Sequence, residues 1–379
     1  MATATPIQMS IPILDLKAQY ASIRQEIQDA INGVLERQHF ILGPEVKALE
    51  QEIAAFCERR YAVGVASGTD ALLLGLKACG VGPGDEVIVP SFTFIATADC
   101  VSLLGATPVF AEIDPQTFNI DREDLKARIT SRTKAVIPVH LYGQAADMDP
   151  LLDLAKKHHL KVIEDCAQAI GATYHGRPAG SMGDVGCLSF FPSKNLGGYG
   201  DGGMIVTDSE EMYRHLISLR AHGSTKKYYS EEQGWNSRLD EIQAAVLRVK
   251  LRHLNDWASQ RGAAAARYDR MLHGVRGVTI PGRNNFGIHV FHQYTIRVPR
   301  RDAVQEILGK VGISTMVYYP VPIHLQPIYS ALGYRLSSFP VTEAACRQVL
   351  SLPMFPELTD SQAEQVVNAL TTALEKTGV

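Results

Sequence analysis

The feature that most constrains this chain is a repeated change of period. Between Ala62 and Thr207, short β-branched or apolar runs trade places with stretches whose apolar residues recur at helical spacing. The runs predict strands at Ala62–Ala66, Glu86–Pro90, Pro108–Glu112, Ala135–His140, Lys161–Glu164, Val185–Phe190 and Met204–Thr207. The intervening pattern predicts helices at Thr69–Ala78, about Ile95–Leu104, around Arg122–Ile129 and at Met148–His159. Such alternation calls for an α/β fold: a large parallel or mixed sheet covered by helices on both faces.

The flanks extend this picture. Val46, Leu49, Ile53, Ala54 and Cys57 put an amphipathic helix over Pro44–Arg59. A long helical pattern runs from Asp240 to Leu272. Beyond it, one strand (Gln293–Val298) and two helices (Ala303–Val311, Ser361–Leu374) read as a smaller C-terminal α/β domain. A length of 379 residues fits two domains, at about 100–200 residues each. The expected division is 1–245, including an N-terminal helical segment, and 246–379, the linking helix with the small domain.

Composition excludes several function classes. A net charge of −3 without a long run of one sign gives little support to nucleic-acid or membrane-surface binding. Met1–Pro12 lacks the pattern of a secretory signal, and no apolar stretch approaches membrane-spanning length. The six cysteines never form C-x-x-C, so they read as reduced core residues of a cytoplasmic protein, with no disulfide framework and no metal.

Three segments carry chemistry. Ser67-Gly68-Thr69-Asp70-Ala71 stands where a strand gives way to a helix, and helix N-termini favour phosphate. An ordinary cap by Ser67 or Thr69 is the alternative. Ile163-Glu164-Asp165-Cys166-Ala167-Gln168-Ala169 puts two acids at the carboxyl end of an apolar strand, where ligands of open α/β sheets bind. Asp165 there either holds a pyridinium proton or caps the next turn. Ser189-Phe190-Phe191-Pro192-Ser193-Lys194-Asn195-Leu196-Gly197 sets a lysine beside aromatic residues, as a Schiff-base nucleophile requires. Ser189 lies five residues before Lys194 and is placed to reach the same phosphate. The following Gly198-Tyr199-Gly200-Asp201-Gly202-Gly203 matches a dinucleotide motif formally, but it opens into a strand rather than a helix. It is read as a tight turn.

Together and in this order, these segments resemble the DegT/DnrJ/StrS family of sugar aminotransferases. The likeness runs from Ile13-Leu14-Asp15-Leu16 through Phe40-Ile41-Leu42-Gly43-Pro44 to the C-terminal region. It implies a fold-type I aminotransferase that uses pyridoxal 5′-phosphate, with pyridoxamine phosphate as its intermediate form. By this resemblance Lys194 forms the Schiff base, Asp165 pairs with the pyridine nitrogen and Gln168 bonds the ring hydroxyl. Gly68, Thr69 and Ser189 meet the phosphate, and Phe94 of Pro90-Ser91-Phe92-Thr93-Phe94 stacks on the ring or else packs in the core.

The same resemblance sends Asn236 of Gly234-Trp235-Asn236-Ser237-Arg238 across a homodimer to the partner's phosphate. Arg238 is either a substrate contact or a brace for the helix start. Tyr319 and His324, in Tyr318-Tyr319-Pro320-Val321-Pro322-Ile323-His324, are implied sugar or diphosphate contacts. One family branch has histidine in place of the lysine and dehydrates; Lys194 points to transamination. The implied partners are L-glutamate and a nucleotide-diphosphate keto sugar. The glycine-rich string after Lys194 looks most like members that aminate C3 of a dTDP- or UDP-linked sugar. A 4-keto acceptor is the runner-up, and a cofactor-binding regulator without turnover is the rival from another class.

Overall fold

The computed structural model describes residues 10–226 and 228–378; the chain through residue 9, where most of Met1–Pro12 falls, lies outside the described residues. A seven-stranded sheet organises the larger part of the molecule. Its strands are β1 (Tyr61–Val65), β2 (Glu86–Pro90), β3 (Thr107–Ala111), β4 (Thr133–Val136), β5 (Lys161–Asp165), β8 (Val185–Ser189) and β9 (Gly203–Thr207). A short hairpin, β6 (Thr173–Tyr174) and β7 (Arg177–Pro178), lies between β5 and β8.

The spatial order is β1-β9-β8-β5-β4-β2-β3. Every pairing from β8 through β3 is parallel, whereas β9 runs antiparallel to both β8 and β1. The carboxyl ends of β1, β2, β4, β5 and β8 therefore meet at one edge.

Helices cover both faces, as wholly buried strands such as β2 and β9 demand. The helices used below are α1 (Leu16–Arg37), α2 (Pro44–Phe56), α3 (Gly68–Ala78) and α4 (Ala96–Leu103). Helix α3 shows how the sequence sets this packing. Ser67 is extended and accepts the Asp70 N–H at 3.0 Å, which starts the helix. Leu72, Leu73, Leu74 and Leu76 are all buried, so the helix is covered nearly all round. A Cβ on Gly75 would stand 3.2 Å from Cys187 Sγ and 3.3 Å from Val185, so glycine lets α3 lie directly on β8.

The C-terminal part has its own core, formed from Ala264–Leu272, the antiparallel pair Tyr294–Arg297 and Val349–Leu352, and the helix Asp360–Lys376. Ile11, near the other end of the chain, packs into that core and bridges to Ile313. The expected helix over Asp240–Leu272 is two helices, Glu241–Leu251 and Leu254–Leu272. The break lets the chain serve two cores: Leu247 and Leu254 pack on the sheet, Ala264 and Tyr268 in the second core. Arg252 and His253 at the break both reach Glu26 of α1. The helix expected over Pro44–Arg59 stops at Phe56, because Arg59 turns to the carbonyls of Gly180 and Gly183 and to Asp208.

Candidate functional site

A cavity of about 340 Å³ opens at the carboxyl ends of the parallel strands. Its lining brings together Gly68, Thr69, Phe94, Asp165, Gln168, Ser189, Lys194 and Tyr319, residues drawn from distant parts of the sequence. Each arrives for a local reason. Asp165 is the last residue of β5, Ser189 the last of β8, and Gly68 the first of α3. Lys194 follows a turn in which its own N–H donates to the Phe191 carbonyl at 2.8 Å.

The α3 end of the cavity suits an anion. The first N–H groups of a helix have no acceptor within it, and the dipole there is positive. A Cβ on Gly68 would lie 2.5 Å from Ser189 Cβ, so the helix start and the end of β8 touch. Backbone N–H groups and the Ser67 and Ser189 hydroxyls thus converge on one spot.

Asp165 lies at the floor. Burial raises the proton affinity of its carboxyl. The Ala167 N–H (3.1 Å, to Oδ1) and the Thr97 hydroxyl (2.9 Å, to Oδ2) work against that rise. Two donors leave acceptor capacity on both oxygens for a cationic ligand. Enclosure brings the Lys194 ammonium down to about 8, while the Asp165 charge pulls it the other way. An amine of this kind is a nucleophile near neutral pH.

The Gln168 amide accepts the Tyr142 N–H at 2.7 Å and donates to the Tyr319 hydroxyl at 3.0 Å. Phe94 is 54% exposed, with its ring 6.2 Å from that of Tyr319, so it is a cavity wall rather than a core residue.

Other expected residues are not in this cavity. Asn236 is exposed and pairs through its backbone with Ala221, while Arg238 is half-buried; neither lines the cavity of its own chain. Ser237 between them donates to Asp70 of α3 at 2.6 Å. His324 lies elsewhere. Its side chain is fully buried, with Nε2 3.3 Å from Glu343 and the ring against Phe339, because residues 323–334 pack onto α4. It is not a wall of the cavity.

Sequence reasoning missed Thr97 and His292. Thr97 is one of two hydroxyls in α4, with nothing local to mark it. His292 is buried beside Lys194, and its Nδ1 lies 3.2 Å from Asn195 Oδ1. Asn195 Nδ2 donates to the Val290 carbonyl, so its oxygen faces His292, which bears its proton on Nδ1. Burial and the Lys194 charge keep this imidazole neutral.

Among the described residues, His140, Glu164 and Cys166 bring potential metal-ligand atoms within 4.8 Å of one another. Both Glu164 oxygens are already filled: Oε1 accepts Met182 and Gly183 N–H, and Oε2 accepts Gly180 N–H and His140 Nε2. With about four lone-pair sites on a carboxylate, Glu164 has no acceptor left for a cation. Among the described residues no helix is long and apolar enough to cross a membrane.

Comparison with known proteins agrees with this architecture. The model of the DegT/DnrJ/EryC1/StrS aminotransferase family matches residues 21–371. The pleiotropic regulatory protein of Geobacillus stearothermophilus is 50% identical over 96% of this chain and 98% of its own. The UDP-N-acetyl-3-dehydro-alpha-D-glucosamine 3-aminotransferase of Acidithiobacillus ferrooxidans is 48% identical over 95% and 97%. The crystal structure of S. venezuelae DesV in complex with a ketimine intermediate superposes with a TM-score of 0.94, at 48% identity, over 96% of this chain and 98% of that one.

Proposed function

We propose, from the premise that this chain belongs to the DegT/DnrJ/EryC1/StrS aminotransferase family, that it moves the amino group of L-glutamate to a keto sugar carried on a nucleoside diphosphate. The favoured acceptor is C3 of a UDP- or dTDP-linked sugar, in line with the glycine-rich string after Lys194 and with the 3-aminotransferase relative. The observation that carries the reading is one cavity holding a lysine amine near pKa 8, a buried carboxylate and a helix N-terminus.

These residues fit pyridoxal 5′-phosphate. Gly68, Thr69 and Ser189 would receive the phosphate, Asp165 the ring nitrogen, Gln168 the ring hydroxyl, Phe94 one ring face, and Lys194 the carbonyl carbon. When bound, the cofactor supplies a carbonyl that condenses with amines and a ring that withdraws electrons from the substrate carbon.

The protein's own groups do the rest. With a pKa of about 8, roughly a tenth of Lys194 is neutral amine at pH 7. That neutral amine is the nucleophile that would hold the cofactor's carbonyl carbon, and once free it would take a proton from the substrate carbon and return one to it. Asp165 holds a proton-bearing nitrogen against its free acceptor sites. Phe94 and Tyr319 narrow the mouth and exclude water from the reacting atoms.

Asn236 serves the partner's site in a homodimer, and Arg238 contacts substrate. What supports the first is that Asn236 is exposed and does not line the cavity of its own chain, while Ser237 ties the segment to α3. A reducing, cytoplasmic setting accords with six buried free thiols.

The regulator reading stays in play because one close relative is described as a regulatory protein. An absorption spectrum before and after L-glutamate, with Lys194→Ala alongside, separates the readings. Conversion of the lysine-bound cofactor band to a pyridoxamine band, followed by amination of a 3-keto or 4-keto nucleotide sugar, supports the enzyme and fixes the position. Cofactor bound with no transfer to any acceptor supports the regulator, and no cofactor band at all sinks both.

A further inference from the structure

We infer that Thr97 is a positioning residue for Asp165, and that the hydroxyl chain Thr93–Thr97 holds one carboxylate oxygen and keeps it ionised. This rests on the role proposed for Asp165 above.

The geometry is specific. Thr97 Oγ1 donates to Asp165 Oδ2 at 2.9 Å, and both residues are buried. The hydroxyl proton is thereby committed, so the 3.2 Å contact with Thr93 Oγ1 must be a bond donated by Thr93. A helical threonine ordinarily turns its hydroxyl to a carbonyl one turn back. Here it points across from α4 to the end of β5 instead. Chained hydroxyls polarise one another, so the Thr93 bond strengthens the donor that meets Asp165.

The groups around Asp165 show why a neutral donor is needed. Around it are Lys194 from the loop after β8, His140 from beyond β4, Tyr319 from the C-terminal part, Cys100 of α4, Cys187 of β8 and the adjoining Cys166. The three thiols and the Tyr319 hydroxyl are held protonated by burial and contribute no counter-charge. Lys194 favours the anion, but its charge comes and goes as it reacts. A threonine hydroxyl does not titrate. It supplies a constant pull on the carboxylate while Lys194 changes state.

The test uses full-length protein with Thr97→Val, Thr97→Ser and Thr93→Val. Protonation of Asp165 is followed in the apoprotein through its carboxyl C=O stretch in infrared difference spectra across a pH titration, assigned by its loss in Asp165→Asn. Cofactor affinity is read by titration with pyridoxal phosphate. Thr97→Val should raise the Asp165 midpoint by about one pH unit or more and weaken cofactor binding about tenfold. Thr97→Ser should keep the wild-type midpoint, and Thr93→Val should move it the same way by less. If Thr97→Val titrates like wild type, or if serine fails as valine does, the residue acts by shape and the inference falls. Should Thr97→Val not fold, an unmoved midpoint in Thr93→Val overturns it alone. The infrared titration needs no cofactor, so failure of the proposed function, seen as absent cofactor binding in wild type, is a separate result.

Discussion

Glu164 and Asp165 are consecutive acids on one strand, and they have opposite fates. Successive side chains of a strand point to opposite faces. Glu164 points into a nest of three backbone N–H groups and His140 Nε2, at 2.6 to 2.9 Å. His140 Nδ1 accepts the Ala146 N–H, so the ring proton sits on Nε2 and is donated to Glu164. Burial alone would raise this carboxyl, but those donors bring it below the usual carboxylate range. Asp165 meets only two donors, its proton affinity is raised, and it faces a cavity. A buried acid whose acceptors are all filled by its own chain pins the fold. One left part-filled waits for a ligand. The same contrast separates Lys250, whose ammonium donates to the Gly197 carbonyl at 2.7 Å, from Lys194 at the cavity wall.

Four measurements can break or sharpen this contrast. The largest effect belongs to Lys194→Ala, which should show no transamination above background while remaining folded. Residual turnover with glutamate would move the chemistry elsewhere.

Next come the paired acids. Asp165→Asn should lower kcat by about 10³-fold at nearly native stability. Glu164→Gln should instead cost about 3 kcal/mol in denaturant unfolding, with kcat of the folded fraction within a few-fold of wild type. Equal kcat losses in the two variants would erase the distinction.

The third test is linkage. Lys194 and Lys250 are both lowered from 10.5 to about 8 by burial. On these two groups the unfolded chain binds more protons than the folded one between those values, so each adds stability as pH climbs from about 8 toward 10.5, against the larger loss from the six buried cysteines whose thiols stay protonated in the fold. Lys194→Met should remove one lysine share and steepen the net fall. An unchanged slope in thermal melts would show that the amine is not enclosed as described.

The smallest effect is expected at His324→Gln, which lies outside the cavity. KM for the sugar nucleotide should stay within about twofold, with about 1 kcal/mol lost through the Glu343 contact. A tenfold rise in KM would return His324 to the substrate site.

How much of this was readable beforehand depends on where each signal lies. Asp165 stood out because it closes an apolar strand and Lys194 because it follows one beside aromatic residues, and the carboxyl end of a strand in an α/β sheet is a place ligands go. Phe94 was ambiguous between stacking and core until its exposure placed it on the cavity wall. Helix α1 is foreshadowed only as an N-terminal helical segment without bounds, because its buried residues Gln19, Ile23, Ile27 and Val34 form a thin stripe in a largely polar helix. The strand Val349–Leu352 follows the helix Pro340–Gln348 with no turn residue between them to announce it. His324 sits in a segment that resembles a substrate-lining one, but whether a ring faces a cavity or a core depends on what packs behind it.

The sequence by itself determined the alternating architecture, the glycine at the head of α3, and the two residues to which the proposed chemistry is assigned. These are matters of period, local sterics and strand ends, which act over a few residues. Only the tertiary structure decided which acid of the Glu164–Asp165 pair is pinned and which is available, that Thr97 bonds Asp165, and that His292 stands beside Lys194 from 98 residues further along the chain. Proton affinity and contact depend on distance and burial in space, and neither is written in the order of residues along the chain.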